Sequence, residues 1–569
     1  MAAGRKYPNI KAKPAGLRRA PKARLSREEE ADQALNHTVS SAGTRQVLII
    51  LFVVAIFLVP LTQSLVELGG SSHELTTLGL FGSLIPDLRK ANNLAGLFTL
   101  IPSAQSIKAT EKKIDDCSVL SRWALPSIQA ALTGWFQTGN KEAYVASSGW
   151  LFYRQDVEYL TGPPFLDAGR LEQRRRDSSI QPDPILAILQ FKAELAKRNI
   201  ELLVLPVPVK PCVEGNRLSS FVPVTESLQN PSFAEFKTRL KTAGVQLLDL
   251  TSQFMAVKSD GKKASLYLET DTHWRPEIMD LAVRQVAAAL NGLASAEPLP
   301  LQISEKQVTS LGDIFALLRL PPNQTLYHPE TITIGTVSKG NTLWRSDQNA
   351  DVLVLGDSFC NIYSLEQMGW GESAGFVEHL SRALGGRPVD CILRNSDGAF
   401  ATREILSHEL ARGNDRLLGK KVVIWEFASR ELAFGNWKLL DMELGQPAPS
   451  QFLALKPGQE TIVTGVVQAA SAVPVPGSIP YKDHIAAIEL EELSGNDAVV
   501  AGSTRALVYL WSMRDNVWTR AARLRVGDRI KVHLFSWDDY SAQYDKFNRS
   551  ELEDATVQLQ EPTWGELIE

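Results

Sequence analysis

Cysteine is scarce. Cys117, Cys212, Cys360 and Cys391 are the only four in 569 residues. None belongs to a CxxC pair, so neither a zinc ribbon nor a thioredoxin-type redox site is expected. Four isolated cysteines allow at most about two disulfides, and the sequence does not choose among the connectivities. P-loop, GxGxxG, HExxH and EF-hand patterns are lacking too, so no nucleotide, nicotinamide or metal cofactor is expected. A large excess of one charge is missing: the net charge is −4, and nothing marks the whole chain as a nucleic-acid binder. A mean hydropathy of −0.09 excludes a polytopic membrane protein. With 44% hydrophobic and 22% charged residues, disorder over the full length is excluded as well. No internal repeat of solenoid length is visible. At about 150 residues per domain, the length fits roughly three or four units.

One long hydrophobic run is present. Residues Val47–Val66 read VLIILFVVAIFLVPLTQSLV, and the first thirteen, through Val59, are all apolar. Spanning a bilayer takes about 20 residues, so Thr62, Gln63 and Ser64 must sit near the far interface. Residues 1–45 carry ten Lys/Arg against four Asp/Glu, which leaves −10 on the remainder. A cleaved signal peptide, a retained signal anchor and a buried core helix all fit an apolar run of this kind. The length of the leader and the absence of a clear A-x-A site favour the anchor. The positive-inside rule then puts the tail in the cytoplasm and the bulk of the chain outside, on a single-pass inner-membrane protein.

The tail, residues 1–45, reads as disordered; 46–66 is the transmembrane anchor, and 67–139 a stalk or helical extension. From 140 to 445, strand and helix signals alternate. ELLVLPVPV (Glu201–Val209), VQLLDL (Val245–Leu250), DVLVLGDSF (Asp351–Phe359), VDCIL (Val389–Leu393) and KVVIWEF (Lys421–Phe427) are short apolar strands. Ile185–Asn199, Pro276–Gly292, Glu372–Leu384 and Phe400–Arg412 have helical patterns between them. This predicts an α/β fold, a parallel sheet with helices on both faces. Residues 446–459 read as a linker. Residues 460–569 read as a small all-β domain, a sandwich or an OB-type barrel, with a carbohydrate-binding role as one use for Trp511, Trp518, Trp537 and Trp564.

Two short motifs carry chemistry. Gly356-Asp357-Ser358-Phe359 follows a buried strand directly, and functional groups in open α/β sheets gather at the carboxyl ends of strands. A glycine there lets the chain bend and leaves Ser358 exposed; an ordinary turn gives the same letters. In Asp271-Thr272-His273-Trp274, an extended segment would point Asp271 and His273 the same way, so that the carboxylate fixes the imidazole tautomer. Alternatively Asp271 or Thr272 caps the helix that begins at Pro276. Asp357 reads as a structural turn carboxylate.

GDSF after a strand with DTHW upstream resembles the SGNH-like domain of the alginate O-acetyltransferase family, the AlgX/AlgJ type. Ser147–Gly162, Val204–Pro211, Gly375–Leu384, Arg394–Glu404 and Lys421–Leu432 resemble further blocks of that family, in the same order. The resemblance covers residues 140–445. It implies an SGNH-like (flavodoxin-like) sheet and a triad of Ser358 as nucleophile, His273 as base and Asp271 as its orienting carboxylate. Plain GDSL hydrolases place Asp-x-x-His near the C-terminal end, and this chain does not. The resemblance also implies O-acetylation of an exopolysaccharide in the periplasm, without a cofactor, with acetyl supplied by a membrane-bound O-acyltransferase (MBOAT-type) partner. A carbohydrate acetylesterase with the same triad, or a non-catalytic polysaccharide-binding component, are the competing readings.

Other residues rank below the triad. Asn395, by analogy with the Asn of SGNH sites, is the oxyanion candidate, with a loop-turn role as the alternative. Lys210, Arg394 and Trp425 are substrate-binding candidates: Lys210 and Arg394 for an anionic sugar, Trp425 for stacking. A surface position for Lys210 and a core position for Trp425 are the plainer readings. Arg403 reads as a structural ion pair, His379 as a satisfied helix-face residue, and Trp150, Phe152 and Tyr153 as core.

Overall fold

The computed structural model describes residues 41–69, 118–259, 265–290, 300–445, 451–477, 479, 481–495 and 502–568. The readings of residues 1–40, of most of the stalk (70–117, with Cys117) and of the start of the linker (446–450) lie outside these. Residues Met1–Leu120 and Ser121–Glu569 form two compact units.

In the first unit, the apolar run lies in one helix, Ala42–Gly69, longer than the run itself. Its stretch Gly43–Leu65, with a mean hydropathy of 2.6, is long and apolar enough to cross a membrane. The polar Thr62 is tolerated because its hydroxyl donates back to the Leu58 carbonyl at 2.9 Å, so the group is satisfied within the helix.

The second unit is built on a five-stranded parallel sheet. Its spatial order is Gln246–Leu247, Glu201–Val207, Val422–Ala428, Val352–Gly356, Asp390–Leu393. Trp425 lies opposite Val204 on one side and Leu355 on the other. Every residue of the Val352–Gly356, Asp390–Leu393 and Val422–Ala428 strands is buried, as the unbroken apolar runs require of strands covered on both faces. The helix Pro184–Ala196 starts where Asp183 accepts from the Ile185 N–H, and the helix Pro276–Ala289 starts on a proline.

Two expected elements are shorter than their sequence patterns. The edge strand is Gln246–Leu247 rather than 245–250, because Leu248 makes the last bond to Val204 and Asp249 then caps the Thr251 N–H, turning the chain into a helix. The helix expected from Glu372 begins at Phe376. Ser373 and Ala374 are held instead by bonds with Val337 and Tyr363.

The C-terminal sheet closes on itself. Its ring runs Glu460–Ala470, His484–Ser494, Ala506–Arg514, Pro562–Leu567, Arg529–Ser536 and back to the first strand. Within the ring, only the Ala506–Arg514 and Pro562–Leu567 pair is parallel. A closed five-stranded ring with such a crossover is barrel architecture of the kind OB folds use. Trp537 and Trp564 are buried inside an aromatic cluster with Trp511 packed against it, while Trp518 stays 36% exposed.

Cys212, Cys360 and Cys391 are buried free thiols. Burial pushes all three thiols up; for Cys360 the Glu426 carboxyl adds to the effect.

Candidate functional site

The Val352–Gly356 strand ends at Gly356, where an added Cβ would come within 2.7 Å of Cys360 Sγ. Close approach, rather than an unusual dihedral, is what excludes a side chain here. Asp357 then caps a four-residue helix, Ser358–Asn361, by accepting from the Phe359 N–H at 2.8 Å. Its second oxygen accepts from the Ala428 N–H at 2.8 Å, tying the turn to the neighbouring strand. Asp357 is therefore a structural carboxylate. Ser358 stands at the first turn of the helix, where backbone N–H groups have no intrahelical acceptor.

His273 Nε2 lies 2.8 Å from Ser358 Oγ, and His273 Nδ1 lies 2.6 Å from Asp271 Oδ1. Residues 269–273 are bent rather than extended. Asp271 Oδ1 also accepts the His273 N–H at 3.0 Å, so the carboxylate holds both backbone and ring of the same residue. Neither Asp271 nor Thr272 caps the following helix, whose N-cap is Arg275. Ser358 is 7% exposed, His273 2% and Asp271 fully buried.

The electrostatics follow from this packing. Burial opposes charge on Asp271, but the neighbouring His273 and the hydrogen bonds from His273 and Trp370 outweigh it and bring the carboxyl down to about 2. Burial opposes charge on His273 too, and is outweighed by Asp271, Asp313 and Asp357, so the imidazole is raised. With Asp271 ionised, the neutral ring carries its proton on Nδ1 and leaves Nε2 to accept from the serine hydroxyl.

Sequence reasoning missed two supports. Trp370 Nε1 donates to Asp271 Oδ2 at 2.8 Å. Asp313 donates its N–H to the same oxygen at 3.0 Å, accepts from the Thr272 N–H at 2.7 Å and brings its carboxylate to 3.8 Å from His273 Nδ1. Burial and the Asp271 charge push Asp313 up to about 6. The available signals were faint: Gly312-Asp313 at a helix start reads as a turn, and Trp370 sits between two glycines. Asp271, His273 and Asp313 place three ligand-type atoms within 4.8 Å of one another. The Asp271 oxygens and His273 Nδ1 are already engaged in the bonds above, so metal binding there would break the Ser358-oriented arrangement.

The remaining candidates fall elsewhere. Lys210 is not on the surface. It is fully buried, and its ammonium donates to the carbonyls of Leu151, Glu269 and Asp271 at 2.6, 2.9 and 3.0 Å. It braces the Asp271 turn from behind, and burial brings its pKa down to about 8. Trp425 is fully buried among Phe191, Phe427 and Trp437 and is no stacking platform. Arg403 lies 4.3 Å over the Trp425 ring and donates to the Lys438 carbonyl; it makes a cation–π contact rather than the expected ion pair. Arg394 is 6% exposed, paired with Asp397 at 2.7 Å and bonded to the Arg549 carbonyl, which turns it toward the barrel. Asn395 is 2% exposed and bonds to Asn361 and Asn548. His379 is satisfied by Asp280 and the Gly335 carbonyl.

Residues 144–429, half of the chain, match the model of the SGNH hydrolase-like domain of acetyltransferase AlgX. The chain belongs to the AlgX family of SGNH hydrolase-like domains. Similar chains include the probable alginate O-acetylase AlgJ of Pseudomonas syringae pv. tomato, 24% identical over 376 residues, covering 64% of this chain and 86% of that protein. The probable alginate O-acetylase AlgJ of Pseudomonas fluorescens is 26% identical over 276 residues, covering 47% and 64%. Among solved structures, the O-acetyltransferase domain of Pseudomonas putida AlgJ aligns over 52% of this chain and 93% of its own, with 19% identity and a TM-score of 0.39. Pseudomonas aeruginosa AlgX aligns over 72% and 95%, with 15% identity and a TM-score of 0.38.

Proposed function

We propose that this AlgX-family chain is an O-acetyltransferase that moves an acetyl group through an acyl-serine on Ser358 to a hydroxyl of an exported polysaccharide. The observation that carries the reading is the Ser358–His273–Asp271 chain of contacts at 2.8 and 2.6 Å. His273 Nε2 takes the hydroxyl proton as Ser358 Oγ bonds to the acyl carbon. The bond from that carbon to the donor's leaving oxygen breaks, and His273 returns the proton to it. A sugar hydroxyl then gives its proton to His273 and bonds to the acyl carbon, the Ser358 ester breaks, and His273 returns the proton to Ser358 Oγ. The Ser358 N–H, with the Asn395 amide, is our assignment for the oxyanion donors.

The names of the curated relatives support alginate or a related polymer as acceptor. The helix over Gly43–Leu65 would hold the chain on the cytoplasmic membrane, with its basic tail inside and its catalytic region in the periplasm. Acetyl-CoA is cytoplasmic, so the donor would reach Ser358 through a membrane-bound O-acyltransferase of the MBOAT type.

The test incubates the purified full-length protein with a chromogenic acetyl ester, with and without oligosaccharide acceptors, and follows protein and sugar by intact mass. Acetyl on Ser358 and then on sugar supports the reading. Acetate released to water regardless of acceptor makes the chain an acetylesterase. Equal inertness of the wild type and Ser358→Ala leaves polymer binding as the role.

A further inference from the structure

The barrel reaches the catalytic region through residues 546–549, in the connection between its fourth and fifth ring strands. Three side-chain amides line up there. Asn548 Nδ2 donates to the Asn395 carbonyl at 2.7 Å, and Asn395 Nδ2 donates to Asn548 Oδ1 at 3.1 Å. Asn361 Nδ2 donates to Asn395 Oδ1 at 3.1 Å and to the Lys546 carbonyl at 3.2 Å. An amide can be reversed only if its partners can exchange roles. Backbone carbonyls accept at both ends of this relay, so each amide in it has one orientation. All three side chains are buried.

Two further contacts pin the same stretch. Arg394 Nη2 donates to the Arg549 carbonyl at 2.6 Å. Lys546 pairs with buried Glu378 at 3.0 Å, and the other Glu378 oxygen accepts from Ser364 at 2.7 Å. Asn361 closes the helix that Ser358 opens, and Asn395 follows the strand beside the nucleophile's own. The relay therefore joins the two segments that leave the carboxyl edge of the sheet around Ser358.

We propose that Asn548 is a positioning residue for acyl transfer. Acting through Asn395 and Asn361, it sets the wall of the Ser358 site where the oxyanion forms. The barrel thus takes part in the chemical step even when no polymer is present. This rests on the acyl-serine reading above.

The test uses the full-length protein and a small chromogenic acetyl ester without polysaccharide. Asn548→Ala should lower kcat for acylation about 10²-fold, the scale of a misplaced reacting group, with KM for the ester little changed. Asn548→Asp keeps an acceptor for the Asn395 amide and loses the donor, so it should fall between the two. Arg412→Ala is the control: Arg412 joins the catalytic region to the Gln560 carbonyl of the barrel at 3.0 Å, away from the relay. It should lower the unfolding midpoint without lowering kcat. Wild-type kcat in a folded Asn548→Ala protein overturns the proposal, as does an equal kcat loss in Arg412→Ala. Should Asn548→Ala fail to fold, wild-type kcat in Asn548→Asp overturns it and an intermediate kcat supports it. Equal inertness of the wild type and Ser358→Ala overturns the acyl-serine reading, and this proposal with it.

Discussion

Every residue of the Val352–Gly356 and Val422–Ala428 strands is buried, whereas buried and open positions alternate along Glu460–Ala470 and Arg529–Ser536. A strand covered on both faces can release a working side chain only at its end. Ser358 follows such an end directly, and Asp357 and Glu426 lock that end to its neighbour. Those two barrel strands keep an open face, whereas the aromatic cluster around Trp564, at 1% exposure, lies on the sheet face opposite the Val508, Leu510, Val532 and Leu534 core and is buried against Trp537 and Tyr544. One region thus concentrates chemistry at an edge. The other spends its aromatic residues on its own core and meets the catalytic region through a short polar connection.

The sharpest division between the two regions comes from Ser358→Ala. It should cost roughly 10⁴–10⁶ in acyl transfer, with both sheets intact by circular dichroism. Asp271→Asn should follow, with a loss of about 10³–10⁴ at neutral pH. On the proposed mechanism His273 must be neutral to act as base, so the rate should rise with pH through its pKa, which Asp271 holds above the ordinary value. Removing that charge lowers the pKa, and the acid limb of the rate profile should move to lower pH.

Trp425→Ala and Trp564→Ala ask whether the regions unfold together. Each should cost about 3–5 kcal/mol. Because Glu378–Lys546 and the Asn395–Asn548 bonds join the regions through buried groups, denaturant should produce one shared transition in both variants. Two separate transitions would show that the two regions unfold independently. The smallest effect belongs to Asp313→Asn. It keeps an acceptor for the Thr272 N–H and removes a charge that helps raise His273, so the acid limb should shift slightly downward with little loss of maximal rate.

The legible part of the site lay in short motifs. Ser358 follows an apolar strand, and Asp271 and His273 share four letters, but each motif alone also read as a turn or a helix cap, and the family resemblance is what joined the three. The alternation of apolar strands and helices likewise foretold the parallel sheet. Burial was not legible. Lys210 and Trp425 have side chains suited to sugars, and only tertiary packing decides that three carbonyls and an aromatic cluster claim them. Trp370, Asp313 and Asn548 act across 99, 42 and 153 residues respectively, and no local pattern announces a partner at that separation. The edge strand and the Phe376 helix were overdrawn because apolar letters continue past the point where Asp249 and Ser373 redirect the chain.

Cys360 lies two positions from Ser358, yet its thiol faces Glu426 at 3.2 Å inside the protein. A thiol kept protonated and away from solvent neither alkylates nor exchanges with disulfides. The same holds for Cys212 and Cys391. The three thiols therefore serve as internal clocks: labelling them, counted by mass, times the opening of the core. A thiol reagent that silences the Ser358 site would be reporting unfolding rather than chemistry at the serine.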